Sequence, residues 1–555
     1  MEMIYGVKDR PKVPRLLLFS LQQLLAILAA TIAVPMIINS NNPGAGMQPS
    51  AALFGAGVGT LVYLLFTRFK SPVFLGSSFA FLGSMGAAFA GGVSMSLGYL
   101  GLLVGAVFAG LIYVIIAVIV KFAGTKWIDK IMPAVVIGPT VAIIGLSLAG
   151  NAIGDLMSGS ATYDVFNLVA KMKDGMPIIE NGEIVTELVK STFTYANQFI
   201  ALLCGLVTLG VTIACSVYGK KMVKMIPFII GILSGYALAA IFTCFSYIEG
   251  AECLRVIDFT PFETLGTASA WYPDFAFITA FKGGYNAGDL GNVGAYIGTI
   301  AVAYIPVALV VFAEHLADHK NISSIIEHDL IKDPGLHRTL LGDGVGSIAG
   351  AFFGGCPNTT YGESVGCVAI SRNASVITIL VTACMAILSA FIAPFTLFLA
   401  SIPKCVMGGV CIALYGFIAV SGLKMIQKAD LNDNRNLFVV SVILIAGVGG
   451  MALSIGKVTI TSVACALILG ILTNLLVNIG GKSADKQAAL SDAGLASGAE
   501  PIAAEGVVQQ AQAEDGVNDA AEEDESDAEQ AQNEQSAQAA TDEPVDKPKN
   551  KGKNK

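Results

Sequence analysis

Long apolar runs recur along the whole chain, and many of them are long enough to cross a lipid bilayer. The first, "LLLFSLQQLLAILAATIAVPMII", carries no charged side chain over residues 16–38. A membrane-spanning helix needs about 20 such residues. Hydrophobic residues make up 54% of the 555 residues, charged residues make up 13%, and the mean hydropathy is +0.69. A soluble domain has about 25% charged residues. The sequence therefore predicts an all-α polytopic membrane protein.

The apolar runs and the breakers between them predict about fourteen spans. These spans are centred within 15–38, 51–67, 76–90, 97–121, 131–150, 197–217, 224–243, 291–314, 338–353, 362–371, 374–398, 405–422, 436–453 and 458–480. The third and the tenth are too short to cross alone. They begin at "SPVFLGSSFAF" and "CPNTTYGESVGCVAI", where proline and many Ser, Thr and Gly residues exclude a continuous helix. We expect two short broken helices there.

The two short elements lie seven spans apart in this prediction. A unit with an odd number of spans inserts upside down when it is repeated in tandem, so the spacing predicts a 7+7 inverted repeat. In transporters of this kind, broken helices bring two half-helix N-termini to the middle of the bilayer. Two independently irregular helices are the alternative.

Lysine and arginine cluster in alternate loops, such as "KDRPKVPR", "YGKKMVKM" and "KMIQKADLNDNR". The positive-inside rule then places both termini in the cytoplasm and the polar insertions 151–196 and 245–290 outside. The net charge of -8 reflects acidic residues concentrated in segment 483–555, whose composition predicts a disordered cytoplasmic tail. We expect a multi-pass protein of the plasma (inner) membrane.

The ten cysteines include no C-x-x-C pair, so neither a metal cluster nor a disulfide scaffold is expected. Cys244 and Cys253 bracket "FSYIEGAE" in a loop predicted to lie outside, where a disulfide can persist. A disulfide and two free thiols both remain open for this pair. No cofactor, resident metal or nucleic-acid partner is expected.

Two carboxylates fall where the apolar runs place them inside the membrane: Glu314, after "AYIPVALVVFA", and Glu363, in the second broken element. A charge at the bilayer centre costs about 2.5–3.5 kcal/mol on insertion scales, so such residues usually line a functional cavity. Asp318, one helical turn after Glu314, either belongs to this cavity or is a charge at the cytoplasmic interface. Carboxylates accept hydrogen bonds and helix N-termini donate them. A small planar ligand with N–H and carbonyl groups, such as a nucleobase, matches both.

The stretches "SLQQLLA", "LGSSFAF", "AEHLADH", "DPGLHR", "PNTTYGESVGCVAISR" and "LYGFIAVSG" resemble the nucleobase/ascorbate transporter family, and within it the branch that carries uracil. The resemblance covers about residues 10–480. It implies a core domain of spans 1–4 and 8–11 that holds the substrate. Spans 5–7 and 12–14 would form a gate domain that commonly makes a homodimer. Movement of core against gate would give alternating access, with uptake coupled to protons.

On this resemblance the chain divides into eight segments. They are the cytoplasmic N-terminus 1–14, core spans 1–4 with gate span 5 in 15–150, the outside insertion 151–196, gate spans 6–7 in 197–243, the outside insertion 245–290, core spans 8–11 in 291–398, gate spans 12–14 in 405–480 and the tail 483–555.

The resemblance also assigns residues to the site. Glu314 and Glu363 match the two substrate-binding carboxylates of the family. Phe79 and Gly362 match positions whose backbone N–H groups contact the base. The neighbouring pocket positions are matched by Tyr361 and Ala30.

The chain departs from the family at four positions. Ser364 and Ser371 stand where the family usually has Asn and Thr. Gln23 and Asp318 stand where uracil-carrying members have histidine, so both places lack a histidine that titrates near neutral pH. We therefore expect Asp318 to hold the coupling proton as a pair with Glu314.

Three other functions remain as alternatives to uracil uptake. Xanthine or another purine is the alternative substrate within the family, although Glu rather than Gln at position 363 favours uracil. An anion exchanger of the same fold is a weaker alternative. An intramembrane metallohydrolase would use His315 and His319, whose i, i+4 spacing suits one metal ion. The usual H-E-x-x-H order is missing, so we do not expect an enzyme.

Overall fold

The computed structural model describes residues 3–478, except residues 43, 91–92, 171, 174–175, 178, 181–182, 185, 221, 283–292 and 456–457. The predicted tail 483–555 lies outside the described residues, and so does the end of the second predicted insertion.

The described part of the chain is mostly α-helical. Its helices are α1 Val13–Asn41, α2 Pro49–Phe66, α3 Leu82–Phe89, α4 Met95–Ala123, α5 Lys126–Ile131, α6 Ala134–Ser147, α7 Ala149–Leu156, α8 Gln198–Val217, α9 Met222–Met225, α10 Pro227–Glu249, α11 Thr260–Glu263, α12 Ala276–Lys282, α13 Val293–Ile325, α14 Leu336–Gly354, α15 Gly362–Ser371, α16 Val376–Ser389, α17 Ala393–Ser401, α18 Lys404–Ile426, α19 Asn434–Val448 and α20 Ser462–Val477. The strands are β1 Leu75–Ser77, β2 Thr162–Ala170, β3 Met172–Lys173, β4 Met176–Pro177, β5 Ile179–Glu180, β6 Glu183–Ile184, β7 Thr186–Thr194, β8 Asn358–Thr360, β9 Leu453–Ile455 and β10 Val458–Ile460.

Helix starts follow local chemistry. Pro49 and Pro227 occupy the first positions of α2 and α10, where the missing N–H of proline costs no hydrogen bond. The side chains of Asn197 and Asp433 cap α8 and α19 by accepting hydrogen bonds from backbone N–H groups of the first turn.

Within the described residues, eight helical stretches are long and apolar enough to cross a membrane. A ninth results if α16 and α17, which meet at an angle of 84°, form one bent span. The third element, Phe79–Phe89, and helices α19 and α20 are apolar but shorter. The chain is therefore a multi-pass helical membrane protein, whereas the count of fourteen spans and the 7+7 repeat remain predictions.

The two short elements that the sequence singled out are each a strand followed by a short helix. β1 leads through a 3-10 turn, Phe79–Phe81, into α3, and β8 leads into α15. The strands pair antiparallel, with Gly76 opposite Thr359. Because the strands are antiparallel, the two helices leave this ladder in opposite directions. The start of each short helix thus lies at the same small sheet.

Glycines allow the helices around this sheet to approach closely. Helix α2 packs against α14, and a Cβ atom at Gly55 would collide with the backbone carbonyl of Gly350. Small residues spaced four apart are typical of contacts between membrane helices. Helices α13 and α4 also pack together, and elsewhere α18 packs on α6 and α8.

Several predicted boundaries differ from the structure. The predicted insertion 151–196 begins with the end of α7, and a hairpin of β2 and β7 follows. Helices α10 and α13 continue to Glu249 and Ile325, beyond the predicted ends, because the helices run on through polar residues that follow the apolar runs. Cys244 and Cys253 are both exposed free thiols in the structure.

Candidate substrate-binding site

Glu314 and Asp318 lie on one face of α13, one turn apart, and both are partly buried. The two side chains interact electrostatically. No other described residue donates a hydrogen bond to the carboxylate of Glu314. This carboxylate is therefore free to accept hydrogen bonds from a ligand.

Glu363 lies in the first turn of α15 and is the acidic residue of that turn. It is close enough to Glu314 and Asp318 to interact with both electrostatically, so the structure brings the three predicted carboxylates together. Within the described chain no side chain donates a hydrogen bond to Glu363. Negative charge is favourable at a helix N-terminus, which offers this carboxylate some compensation for its burial.

Asp318 contacts the small sheet rather than the exposed end of α13. The hydroxyl group of Thr360, in β8, donates a hydrogen bond to its Oδ2 atom at 2.7 Å. Asp318 is also the neighbour that a Cβ atom at Gly362 would approach. The Asp318 side chain therefore faces the start of α15, inside the site, and not the cytoplasmic interface.

Gly362 is exposed at the beginning of α15. Apart from its chain neighbours and the backbone of its own helix, Asp318 is the one described residue within 4 Å of the place where its Cβ atom would be. The first N–H groups of a helix have no partner within the helix. The N-terminus of α15 is therefore open to a ligand, with the Glu363 side chain beside it.

Tyr361 and Ala30, which the resemblance places in the pocket, are both buried. The hydroxyl group of Tyr361 donates a hydrogen bond to the backbone oxygen of Ser77 at 2.9 Å. Its ring lies over Gly76, where any side chain would overlap it. Ala30 is buried in α1, and the Thr31 hydroxyl beside it lies near the Tyr361 hydroxyl.

Phe79 begins the 3-10 turn after β1 and is 7% exposed. Its ring meets the ring of Tyr415 edge to face, with centroids 5.6 Å apart. Tyr415 lies on α18, so this pair connects the first short element to the last third of the chain. Ser78, directly before Phe79, has a buried hydroxyl oxygen without a partner in the described residues. Tyr415 lies in "LYGFIAVSG", one of the stretches that resemble the family, but its place beside Phe79 could not be predicted from the sequence.

Two of the departures from the family meet in the structure. The side-chain amide of Gln23 donates to the Ser364 hydroxyl oxygen at 2.5 Å and is 3.3 Å from its backbone oxygen. The backbone N–H of Phe74 donates to the same hydroxyl at 3.1 Å. This contact ties α1 and the segment before β1 to the first turn of α15. The longer Gln23 side chain reaches the shorter Ser364 side chain.

His315 and His319 lie on the face of α13 next to the carboxylates and are fully buried. His315 Nδ1 is 2.6 Å from Asp343 and its Nε2 is 3.1 Å from Thr339. His319 Nδ1 is 2.8 Å from the backbone oxygen of His315, and its Nε2 is 2.8 Å from the Tyr63 hydroxyl. All four ring nitrogens are thus engaged by protein groups. Among the described residues no group of three or more His, Cys, Asp or Glu side chains is arranged to hold a metal ion. The histidine pair does not support the metallohydrolase alternative.

Comparison with known proteins shows which family this chain belongs to. The sequence matches the xanthine/uracil permease model, described as "Permease family", over residues 14–179 and 175–456. The uracil permease of Bacillus caldolyticus is 36% identical over 85% of this chain and 94% of that protein. The uracil permease of Escherichia coli K12 is 33% identical over the same shares of the two chains.

Solved structures support the fold alone. The murine anion transporter Slc26a9, in its inward-facing state, gives a TM-score of 0.51 at 13% identity, covering 85% of this chain and 69% of that one. The curated relatives are permeases, which are transporters and not enzymes. The chain belongs to the nucleobase/ascorbate transporter family.

Proposed function

We propose that this protein takes up a nucleobase, uracil, across the plasma membrane by alternating access and with proton coupling. The observation that carries the proposal is the meeting of Glu314, Asp318 and Glu363 at the open N-terminus of α15. The names of the relatives, both uracil permeases, support the substrate.

Recognition of the base uses the two kinds of group that the site leaves free. The Glu363 carboxylate accepts hydrogen bonds from ring N–H groups, while the N–H groups of Gly362 and Phe79 donate to ring carbonyl oxygens. Glu314 accepts a further N–H, and Tyr361 and Ala30 shape the wall. An inorganic anion is repelled by the glutamates, and an amine has no use for the helix N-terminus.

Proton coupling follows from the crowding of negative charge. Holding several ionised carboxylates together away from water costs free energy, and a bound proton relieves that cost. Asp318 takes the proton as a coupled pair with Glu314, in place of the histidine that the uracil-carrying members have. The hydrogen bond from Thr360 keeps the Asp318 carboxyl group pointed at the start of α15.

Alternating access requires two bodies that move against each other. The antiparallel pairing of β1 with β8, each leading into a short helix, supports the inverted repeat and a core of spans 1–4 and 8–11. The contact of Phe79 with Tyr415 then joins core to gate at the site. The gate domain also forms the homodimer, and both termini face the cytoplasm.

Uptake of radiolabelled uracil by cells that lack their own permease tests this function. Saturable uptake should be competed by uracil better than by xanthine, thymine or uric acid. Stronger competition by xanthine would indicate that the substrate is a purine, and sulfate exchange without nucleobase uptake would favour the anion exchanger.

A further inference from the structure

A cavity of about 310 Å³ lies beyond the carboxylate site, on the side away from the basic N-terminus. Ala33 and Ile37 of α1 line it, one and two turns past Ala30. Cys411 of α18 also lines it, one turn from Tyr415. On the predicted topology this cavity is on the outer side of the substrate site. Its volume is at the lower end of the range for ligand pockets and suits one small ring.

Two opposite charges face this cavity without forming an ion pair. Asp155, at the end of α7, and Lys404, at the start of α18, both line it and interact electrostatically. In the described part of the chain, Lys404 has no carboxylate oxygen within 4 Å and no hydrogen-bond partner for its ammonium group. The hydroxyl group of Ser40, on α1, donates to Asp155 Oδ1 at 3.0 Å, and no described residue donates to Oδ2.

The other polar side chains of the cavity wall are already engaged. The Asn39 amide exchanges hydrogen bonds of 2.7 and 2.8 Å with the backbone of Met47. The Gln48 amide makes the same kind of reciprocal pair with Asp274, at 2.6 and 3.0 Å. The Ser160 hydroxyl oxygen accepts a hydrogen bond of 3.0 Å from the backbone N–H of Lys404. These bonds fix the wall and leave the Lys404 ammonium and the Asp155 Oδ2 atom as the charged groups that can bind a ligand.

We propose that this cavity is an outer subsite that binds the transported base by an edge that carries a carbonyl next to an N–H. Lys404 donates to the ring carbonyl oxygen and Asp155 Oδ2 accepts from the adjacent ring N–H. A simple cation is opposed by Lys404 and a simple anion by Asp155, so a neutral ligand with both groups fits best. The inference rests on the proposed function, because it takes the same class of substrate.

A subsite on the path to the central site has a kinetic signature of its own. It raises the chance that an arriving base goes on to the central site, but it makes no contact with a base that is already bound there. Loss of the subsite therefore lowers kcat/KM for uptake from outside and leaves kcat and the equilibrium Kd of the central site unchanged.

The test compares Asp155→Asn and Lys404→Gln with wild type in two assays. Initial uptake of radiolabelled uracil by whole cells gives kcat and KM, and equilibrium binding to purified protein gives Kd. Each variant should lower kcat/KM about ten- to hundredfold, the factor expected for one lost hydrogen bond to a charged group, with unchanged kcat and Kd. The matched control is Lys424→Gln, which removes a lysine near the opposite end of α18 and should change nothing.

Lys404→Gln removes a charge that has no partner, so this variant should fold even where Asp155→Asn does not. An unchanged kcat/KM in folded Lys404→Gln protein would overturn the subsite while leaving the proposed function intact. A parallel rise in Kd would also overturn it, because Lys404 would then act on the central site. Absence of uracil binding to wild-type protein would instead overturn the proposed function, and the subsite with it.

Discussion

Glu363→Gln replaces one carboxylate oxygen by an NH2 group and removes the charge, while the side chain keeps its size. The carboxylate accepts no hydrogen bond from another described side chain, and the amide oxygen of glutamine can still accept the one from the residue's own backbone N–H. The substitution therefore leaves no buried donor unpaired. The change does remove a favourable charge from the first turn of α15, which contributes about 0.3–1 kcal/mol to helix stability. We expect the variant to fold, with an unfolding temperature within about 4 °C of wild type.

The expected loss of uracil affinity is much larger than this effect on folding. A hydrogen bond to a charged group contributes about 1.5–3 kcal/mol. Because 1.4 kcal/mol corresponds to a factor of ten, the Kd for uracil should rise about ten- to hundredfold. The amide oxygen still accepts one hydrogen bond, so weak binding should remain.

Equilibrium binding of radiolabelled uracil to purified protein measures this change, with the unfolding temperature recorded on the same samples. Glu263→Gln is the matched control, because Glu263 is exposed on α11 outside the predicted membrane spans. A folded Glu363→Gln protein that binds uracil with the wild-type Kd would refute the role given to Glu363.

Three further predictions follow from other contacts. Asp318→Asn should still exchange labelled for unlabelled uracil but should no longer accumulate it against a gradient; accumulation with unchanged sensitivity to a protonophore would assign the coupling to the glutamates alone. Gly76→Ala puts a Cβ atom into the ring of Tyr361, and such overpacking costs about 1–3 kcal/mol, so the unfolding temperature should fall; an unaltered value would mean that the ring moves freely. In the loop between α13 and α14, the hydrogen bond from Lys70 lowers the pKa of Asp333. The pKa of Asp333 in the folded protein is below its value in the unfolded chain, so this stabilisation is present at neutral pH and disappears below about pH 4. The difference in unfolding temperature between wild type and Asp333→Asn should therefore shrink as the pH falls from neutral to below about 4. A difference that stays constant with pH would contradict the role of this hydrogen bond.

Local sequence was enough to predict where regular helix stops. Proline and the run of Ser, Thr and Gly residues before Phe79 and before Glu363 exclude helix, and the structure has strands β1 and β8 there. The pairing of these strands could not be predicted in the same way. It joins segments that are far apart in sequence, and three-residue strands carry too little pattern to set a register.

The candidate site, too, could be predicted only in part from the sequence. Glu314 and Glu363 stand out because a carboxylate in an apolar run is costly. The hydrogen bond between Gln23 and Ser364 is not visible in the sequence, where the two residues are separate departures from the family. His315 and His319 have a spacing that also suits a metal ion, and only the three-dimensional structure shows that Asp343 and Tyr63 engage them. Spacing along one helix gives no information about partners on other helices.

Uracil accumulation in proteoliposomes tests the central claim most directly. Purified protein is reconstituted and an inward proton gradient is imposed, with labelled uracil outside. A driving force of 100 mV contributes about 2.3 kcal/mol per proton, so the internal concentration should exceed the external one several tens-fold, and a protonophore should abolish the excess. Equal concentrations inside and outside would contradict proton coupling, and no uptake by correctly folded protein would contradict uracil transport itself.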